Sequence, residues 1–294
     1  MSYLFSDEWG TYLGLDRILV PLEGFPAELE PLHIALYIAE CSKSVVSLLH
    51  IREDYRRDEV FDRLSKMAEE KAGEMGVELR VDIFEGGDPA DIIVERAGEA
   101  DLMVMGGKRR VREELFGSVS SRVIRRAKIP ILVATSPIES LREEVKPIKR
   151  ILTPLRSIEE DVAAVKLAAN LTSSASVKDF ELLALHVFTL PSTAPISAWD
   201  DESMRDEERR FLRDVGELTK KIARPIIPYV IVGRDVGRSI VDFAEKHRVD
   251  LIILGEREKP GPFTRLLGTH SLYISRNAPC GVVLIYRPSE THSS

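Results

Sequence analysis

The chain has 294 residues, 44% of them apolar and 30% charged, with a net charge of −7; this length suits two domains of ordinary size, each able to bury a core. The acidic balance argues against general binding to nucleic-acid backbones, and no apolar run approaches the roughly 20 residues that span a bilayer. Only Cys41 and Cys280 occur, which argues against a disulfide framework and predicts a reducing, cytoplasmic setting.

Glutamine is absent and asparagine is confined to Asn170 and Asn277, a thermophile-like composition. The opening "MSYLFSDEWGTYLGLDR" is acidic where a secretory signal starts basic, so residues 1–15 are expected to form a short amphipathic extension. Beyond it, Ile18–Leu22, Val45–His50, Glu78–Phe84, Leu102–Met105 and Ile131–Val133 read as strands, apolar enough to be covered on both faces. Leu29–Cys41, Glu59–Met75, Ala90–Gly98 and Ser118–Arg126 show helical spacing. In the second of these, Val60, Leu64 and Met67 are expected to form the buried stripe.

The chain then repeats itself. "RILVPLEG" (17–24) returns as "RILTPLRS" (150–157), "VVSLLHI" (45–51) as "ELLALHV" (181–187), and "ADLMVMGG" (100–107) as "VDLIILGE" (249–256). "LFGSVSSRVIRRAKIPILVA" returns as "LLGTHSLYISRNAPCGVVLI" (266–285). The second copy carries extra residues, chiefly a Pro/Ser stretch that turns acidic between Thr189 and Glu207. The expected organisation is a first domain at 16–136, a charged, proline-bounded linker at 137–147, a second domain at 148–288 and a tail at 289–294.

Five strands with helical crossovers predict an α/β fold, a parallel sheet with helices on both faces. Ligands of such sheets sit at the carboxyl ends of the strands, where strand order reverses. That directs attention to "PLEG" after the first strand and "GGKRR" after the fourth. A strand ending in glycine that leads to a helix start is a candidate anion site, because free N–H groups and the helix dipole converge there. Gly117-Ser118 fits that use and equally fits an ordinary helix cap. Neither a G-x-x-x-x-G-K-[ST] loop nor a G-x-G-x-x-G loop is present. A local basic cluster comprises Lys108, Arg109, Arg110, Arg112, Arg122, Arg125, Arg126 and Lys128.

"ILVPLEG", "LLHI", "GGDPADIIVERAGEADLMVMG" and "LFGSVSSRVIRRAKIPILVA", in this order, resemble the universal stress protein family, and the resemblance runs from about Asp16 to Tyr286. It implies two tandem adenine-nucleotide alpha-hydrolase-like (Rossmann-like) domains, each with a five-stranded parallel sheet. It also implies an internal pseudo-dimer paired through "IPILVAT" and "GVVLIYR", and a homodimer of the whole chain. Many members bind ATP or another adenine nucleotide through a loop of pattern G-x2-G-x9-G-[ST] and an acidic residue after strand one.

The first copy matches the outer loop positions at Gly106 and Gly117-Ser118, but its loop is two residues short, and Glu23 stands for the usual aspartate. The implied nucleotide site comprises Pro21, Leu22, Glu23 and Val46 near the base, with Met105, Gly106 and Gly107 along the ribose and phosphates. Gly117, Ser118 and Val119 would donate to phosphate, and Lys108 and Arg109 would meet its charge. A shortened loop suits AMP or ADP better than ATP, which would bring Mg with it. The second copy keeps the loop length, from Gly255 to Gly268-Thr269, but Glu258 replaces the middle glycine and Arg156 the acidic residue. Its weaker candidate site is Pro154, Leu155, Leu182, Gly255, Gly268, Thr269 and His270.

No acidic pair marks a catalytic metal, and His33, His50, His186, His247, His270 and His292 lack ligand spacing. His50 and His186, at equivalent strand ends, read as fold residues, and both cysteines as packed thiols. The expectation is a regulatory nucleotide without significant turnover, with no nucleic-acid or membrane partner. A nucleotide-independent interaction module and an ATP-dependent enzyme of the same broad fold group are the alternatives.

Overall fold

The computed structural model describes residues 15–22, 29–52, 59–107, 117–135, 148–171, 180–190, 202–222, 224–255 and 268–286. Glu23, Lys108, Arg109, Arg110, Arg112, Glu258, the linker and the tail lie outside the described residues.

In the first half β1 (Arg17–Leu22), α1 (Leu29–Ser42), β2 (Val45–Arg52), α2 (Glu59–Met75) and β3 (Leu79–Glu85) are followed by α3 (Pro89–Ala97), β4 (Leu102–Gly106), α4 (Ser118–Arg126) and β5 (Ile131–Thr135). The second half repeats the alternation with β6 (Arg150–Pro154), α5 (Ile158–Leu171), β7 (Glu181–Thr189), α6 (Glu202–Ile222) and β8 (Ile226–Gly233). It ends with α7 (Val236–Lys246), β9 (Leu251–Gly255), α8 (Thr269–Asn277) and β10 (Gly281–Tyr286).

The strands form one sheet in the order β3-β2-β1-β4-β5-β10-β9-β6-β7-β8. Each half is parallel within itself, and the halves join where β10 runs antiparallel to β5, with Thr135 opposite Val282 and Ile131 opposite Tyr286. The expected pairing of the two last strands is therefore present, and it removes the edge that each half would otherwise expose. Apolar layers cover both faces. Helices α1, α2, α5 and α6 supply one, through residues such as Leu36, Phe61, Leu167 and Phe211. Helices α3, α4, α7 and α8 supply the other, through residues such as Ile93, Val123, Phe243 and Ile274. Across the join, Cys41 Sγ donates to Asn170 O at 3.1 Å. Burial pushes this thiol up to about 11, so it is a packed group, as is buried Cys280.

The two halves share a device that the repeat comparison passed over. Asp101 Oδ2 accepts from the amides of Asp16 and Arg17 at 2.8 and 3.0 Å. Asp250 Oδ2 accepts from Lys149 and Arg150, both at 2.9 Å. Each aspartate thus ties the start of its half's first strand to the strand beside it. Leu15, the last residue of the expected extension, is buried, and its carbonyl accepts from Ser44 Oγ. Two expectations need correction. The buried stripe of α2 is Phe61, Leu64, Ala68 and Ala72; Val60 lies one residue off it and is 47% exposed. Finally, β3 is an edge strand with Arg80, Asp82, Ile83 and Glu85 exposed, so it is not covered on both faces.

Candidate functional site

Strand order reverses between β1 and β4 in the first half and between β6 and β9 in the second. The β1–β4 ladder pairs Ile18 with Leu102 and Leu19 with Met103. The last residues of both strands lie beyond that register, and a crevice opens at their carboxyl ends. Pro21 and Leu22 stand on one side, Met105 and Gly106 on the other. His50 fixes the first side. Its Nδ1 lies 3.0 Å from Leu22 O, and because a carbonyl only accepts, Nδ1 carries the proton. The ring stacks on Phe61 with centroids 4.0 Å apart. His186 repeats the contact with Leu155 O at 2.9 Å. Both histidines therefore hold strand ends, as expected of fold residues.

Gly107 continues the second side. Its amide donates to Ala134 O at 2.8 Å, so it belongs to the β4–β5 ladder and has no proton to spare for a phosphate. A Cβ there would lie 2.7 Å from Thr135 Cγ2 and 3.1 Å from Val133 Cγ1, and a close approach of this kind requires glycine. The register carries Val46 and Leu182 away from the clefts. Val46 pairs with Ile18 while His50 pairs with Leu22, which puts Val46 about 13 Å back along the strand. Leu182 pairs with Ile151 at the start of β6. Both side chains are buried in the core.

Opposite the strand ends, α4 begins at Gly117. The first helical bond runs from Ser121 N to Gly117 O, so the amides of Ser118, Val119 and Ser120 lie ahead of it. The N-cap residue, Gly117, has no side chain to cap them. Gly117 itself is the N-cap, so the pair does serve as a helix cap, with the glycine rather than the serine at the capping position. The same holds for α8 at Gly268, which has no side-chain cap and leaves Thr269 and His270 exposed. The adjacent helices behave differently: Asp88 caps α3 by accepting from Asp91 N, and Asp235 caps α7 by accepting from Arg238 N. Arg122 on α4 ties the two helices of its half together, with Nη1 2.8 Å from Asp88 Oδ2 and Nη2 3.2 Å from Asp91 Oδ1. The Arg122 hydrogen bond holds the Asp88 carboxyl below its ordinary range. Arg126 also pairs with Asp91, so at least Arg122 and Arg126 of the predicted basic run are paired with acids.

The second crevice is built in the same way and then filled. Asp161, in the first turn of α5, is 2% exposed. Its Oδ2 accepts from Arg156 N at 2.7 Å, and its Oδ1 accepts from Arg156 Nη2 at 2.6 Å. Nη2 also donates to Gly255 O at 3.2 Å, so the guanidinium spans from the end of β6 to the end of β9. A Cβ at Gly255 would lie 2.8 Å from Asp161 Oδ1; this glycine makes room for the carboxylate. Pro154 and Leu155 border the same ion pair. The sequence reading noted Arg156 and missed Asp161. The available signal was an acid at the fourth position of α5, where the otherwise similar α1 carries Leu32.

Among the described residues, no three His, Cys, Asp or Glu side chains come together as metal ligands, and no helix is long and apolar enough to cross a membrane. The profile of the universal stress protein family matches residues 14–135 and again 147–286. A universal stress protein of Methanocaldococcus jannaschii is 24% identical over 144 residues, covering 48% of this chain and 84% of its own. The crystal structure of a universal stress protein from Archaeoglobus fulgidus superposes with a TM-score of 0.61 at 19% identity, over 93% of this chain and 97% of that one. A universal stress protein crystallised in complex with cAMP is 25% identical, with a TM-score of 0.35, over 40% of this chain and 96% of its own. Two family matches, one on each half of a single α/β sheet, establish that this chain belongs to the universal stress protein family and carries its domain twice.

Proposed function

We propose that the first half binds one adenine nucleotide, AMP, ADP or ATP, as a regulatory ligand without significant turnover, and that the second half acts as a nucleotide-independent partner. The observation that carries this reading is the contrast between the two crevices. Both face a helix start without a side-chain cap. Among the described residues, only the second holds a buried carboxylate and its arginine; the first has apolar Leu32 at the position of Asp161.

In this reading the amides of Ser118, Val119 and Ser120 receive a phosphate, with Lys108 and Arg109 meeting its charge. Pro21, Leu22 and Glu23 border the base, and Met105 and Gly106 border the ribose. ATP would bring Mg²⁺, held by its own phosphates. The proposal also takes the units to be 16–136 and 148–288, the whole chain to form a cytoplasmic homodimer, and nucleic acid not to be a partner. The arginines of α4 that Asp88 and Asp91 neutralise support that last point.

Gly117→Asp tests the phosphate contact. The backbone there, at φ −67° and ψ 175°, accepts any residue, and aspartate would cap α4 as Asp88 and Asp235 cap their own helices. The variant is expected to be as stable as the parent, or about 0.3 kcal/mol more so. Its nucleotide affinity in calorimetry is expected to fall at least about tenfold, because the new carboxylate occupies and repels the phosphate position. Undiminished affinity would place the ligand elsewhere.

A further inference from the structure

We infer that the second half completes the first half's cleft: Glu30, at the start of α1, is seated over Gly281 of β10, so a strand of the second half positions the helix that borders the ligand. The inference rests on the nucleotide reading above for its functional consequence. Its geometric content stands without that reading.

Because β10 is antiparallel to β5, it begins where β5 ends, with Val282 opposite Thr135. That is the edge of the sheet where Leu22, Gly106 and the start of α4 gather. Glu30 Oε1 lies so close over Gly281 that a Cβ at 281 would come within 1.9 Å of it; the next nearest atom outside that carboxylate is Leu251 Cδ1 at 3.2 Å. Only glycine leaves room for the carboxylate. The contact also continues a chain of neighbours from the end of β4. Gly107 packs on Thr135, Thr135 lies against Val282 across the join, Gly281 precedes Val282, and Glu30 covers Gly281.

The other end of the join is arranged differently. In the repeat, Pro130 stands where the second half has Gly281. Glu159, second in α5 as Glu30 is second in α1, is exposed. The cross-half seat thus borders the crevice that lacks the ion pair, and it has no counterpart beside the one that Arg156 and Asp161 fill. A carboxylate at the first turn of α1 also suits the positive end of that helix, which favours its staying in place once seated.

The test uses full chains of the parent, Gly281→Ala, Glu30→Ala and the double variant. Each is titrated with ADP by calorimetry and followed by amide hydrogen exchange and thermal melting without ligand. A methyl at 281 need displace only the end of a flexible side chain, so the ligand-free melting temperature is expected to hold within about 2 °C. Each single variant is expected to weaken ADP binding about tenfold, with the double variant no weaker than either, as one shared contact requires. Amides 33–36, the first bonded turn of α1, are expected to exchange about tenfold faster in all three variants. Parental exchange in α1 of Gly281→Ala overturns the inference, as do additive losses in the double variant or a melting temperature that falls in step with affinity. If the parent takes no ADP while α1 exchange responds to each substitution, the nucleotide reading fails and the cross-half seat stands.

Discussion

Phe61→Ala is expected to cost about 4 kcal/mol of stability, the largest effect of any substitution considered. Phe61 is 1% exposed, and truncating a buried aromatic ring removes its transfer free energy and leaves a cavity that neighbours fill only in part. The ring is also the face on which His50 stacks. Without it, the imidazole that holds Leu22 O loses its support, and the end of β1 is released at the mouth of the first crevice. Denaturant unfolding of the variant should show a lower midpoint with the slope unchanged. Phe61→Leu, which refills most of the volume, is expected to recover about half of the loss. A loss below about 1 kcal/mol in Phe61→Ala would mean that this packing does not brace the strand end.

Arg156→Ala is expected to cost about 2 kcal/mol. Removing one member of a buried pair leaves an uncompensated charge, and losses of about 3–5 kcal/mol are usual. Here Arg156 is 44% exposed while Asp161 is 2% exposed, so solvent screening reduces the value of the pair, and Asp161 keeps the amide of Arg156 as a donor. Asp161→Leu on the same background supplies the residue type of Leu32 and takes the buried charge away. The double variant is therefore expected to regain most of the lost stability. Urea unfolding of the parent, the single variant and the double variant checks both statements, and an Arg156→Ala protein as stable as the parent would show that the ion pair does not hold the second crevice closed.

The fold was legible where the sequence repeats and where end signals are strong. Helix α4 runs from Ser118 to Arg126 in the sequence reading and in the structure alike, because Gly117 precedes it and an apolar strand follows at once. The join was legible through the family resemblance, which implies pairing of "IPILVAT" with "GVVLIYR", and β5 and β10 are indeed buried along their lengths. Periodicity was less reliable within α2. Val60 and Phe61 are both apolar neighbours, and only packing against β2 and α1 decides which faces the core.

The two crevices show a different limit. Gly106, Gly117 and Ser118 reach the expected strand end and helix start, since glycines and helix starts are local features. Val46 and Leu182 do not reach the clefts, because strand register is a non-local property that a short motif does not carry. Asp161 went unread for a related reason. An acid in the first turn of a helix is ordinarily a solvated group favoured by the helix dipole. Its burial follows from an arginine five residues back and from a glycine on a strand far away in sequence.

The two halves thus share a frame and differ in their crevices: both face a helix start capped by glycine, and among the described residues only the second is crossed by a buried salt bridge. Native mass spectrometry of the full chain with saturating ADP tests that division most directly. One nucleotide per parent chain, and about tenfold more ADP needed for the same occupancy in Gly117→Asp, is the predicted result. Two nucleotides per parent chain, or none, would contradict it.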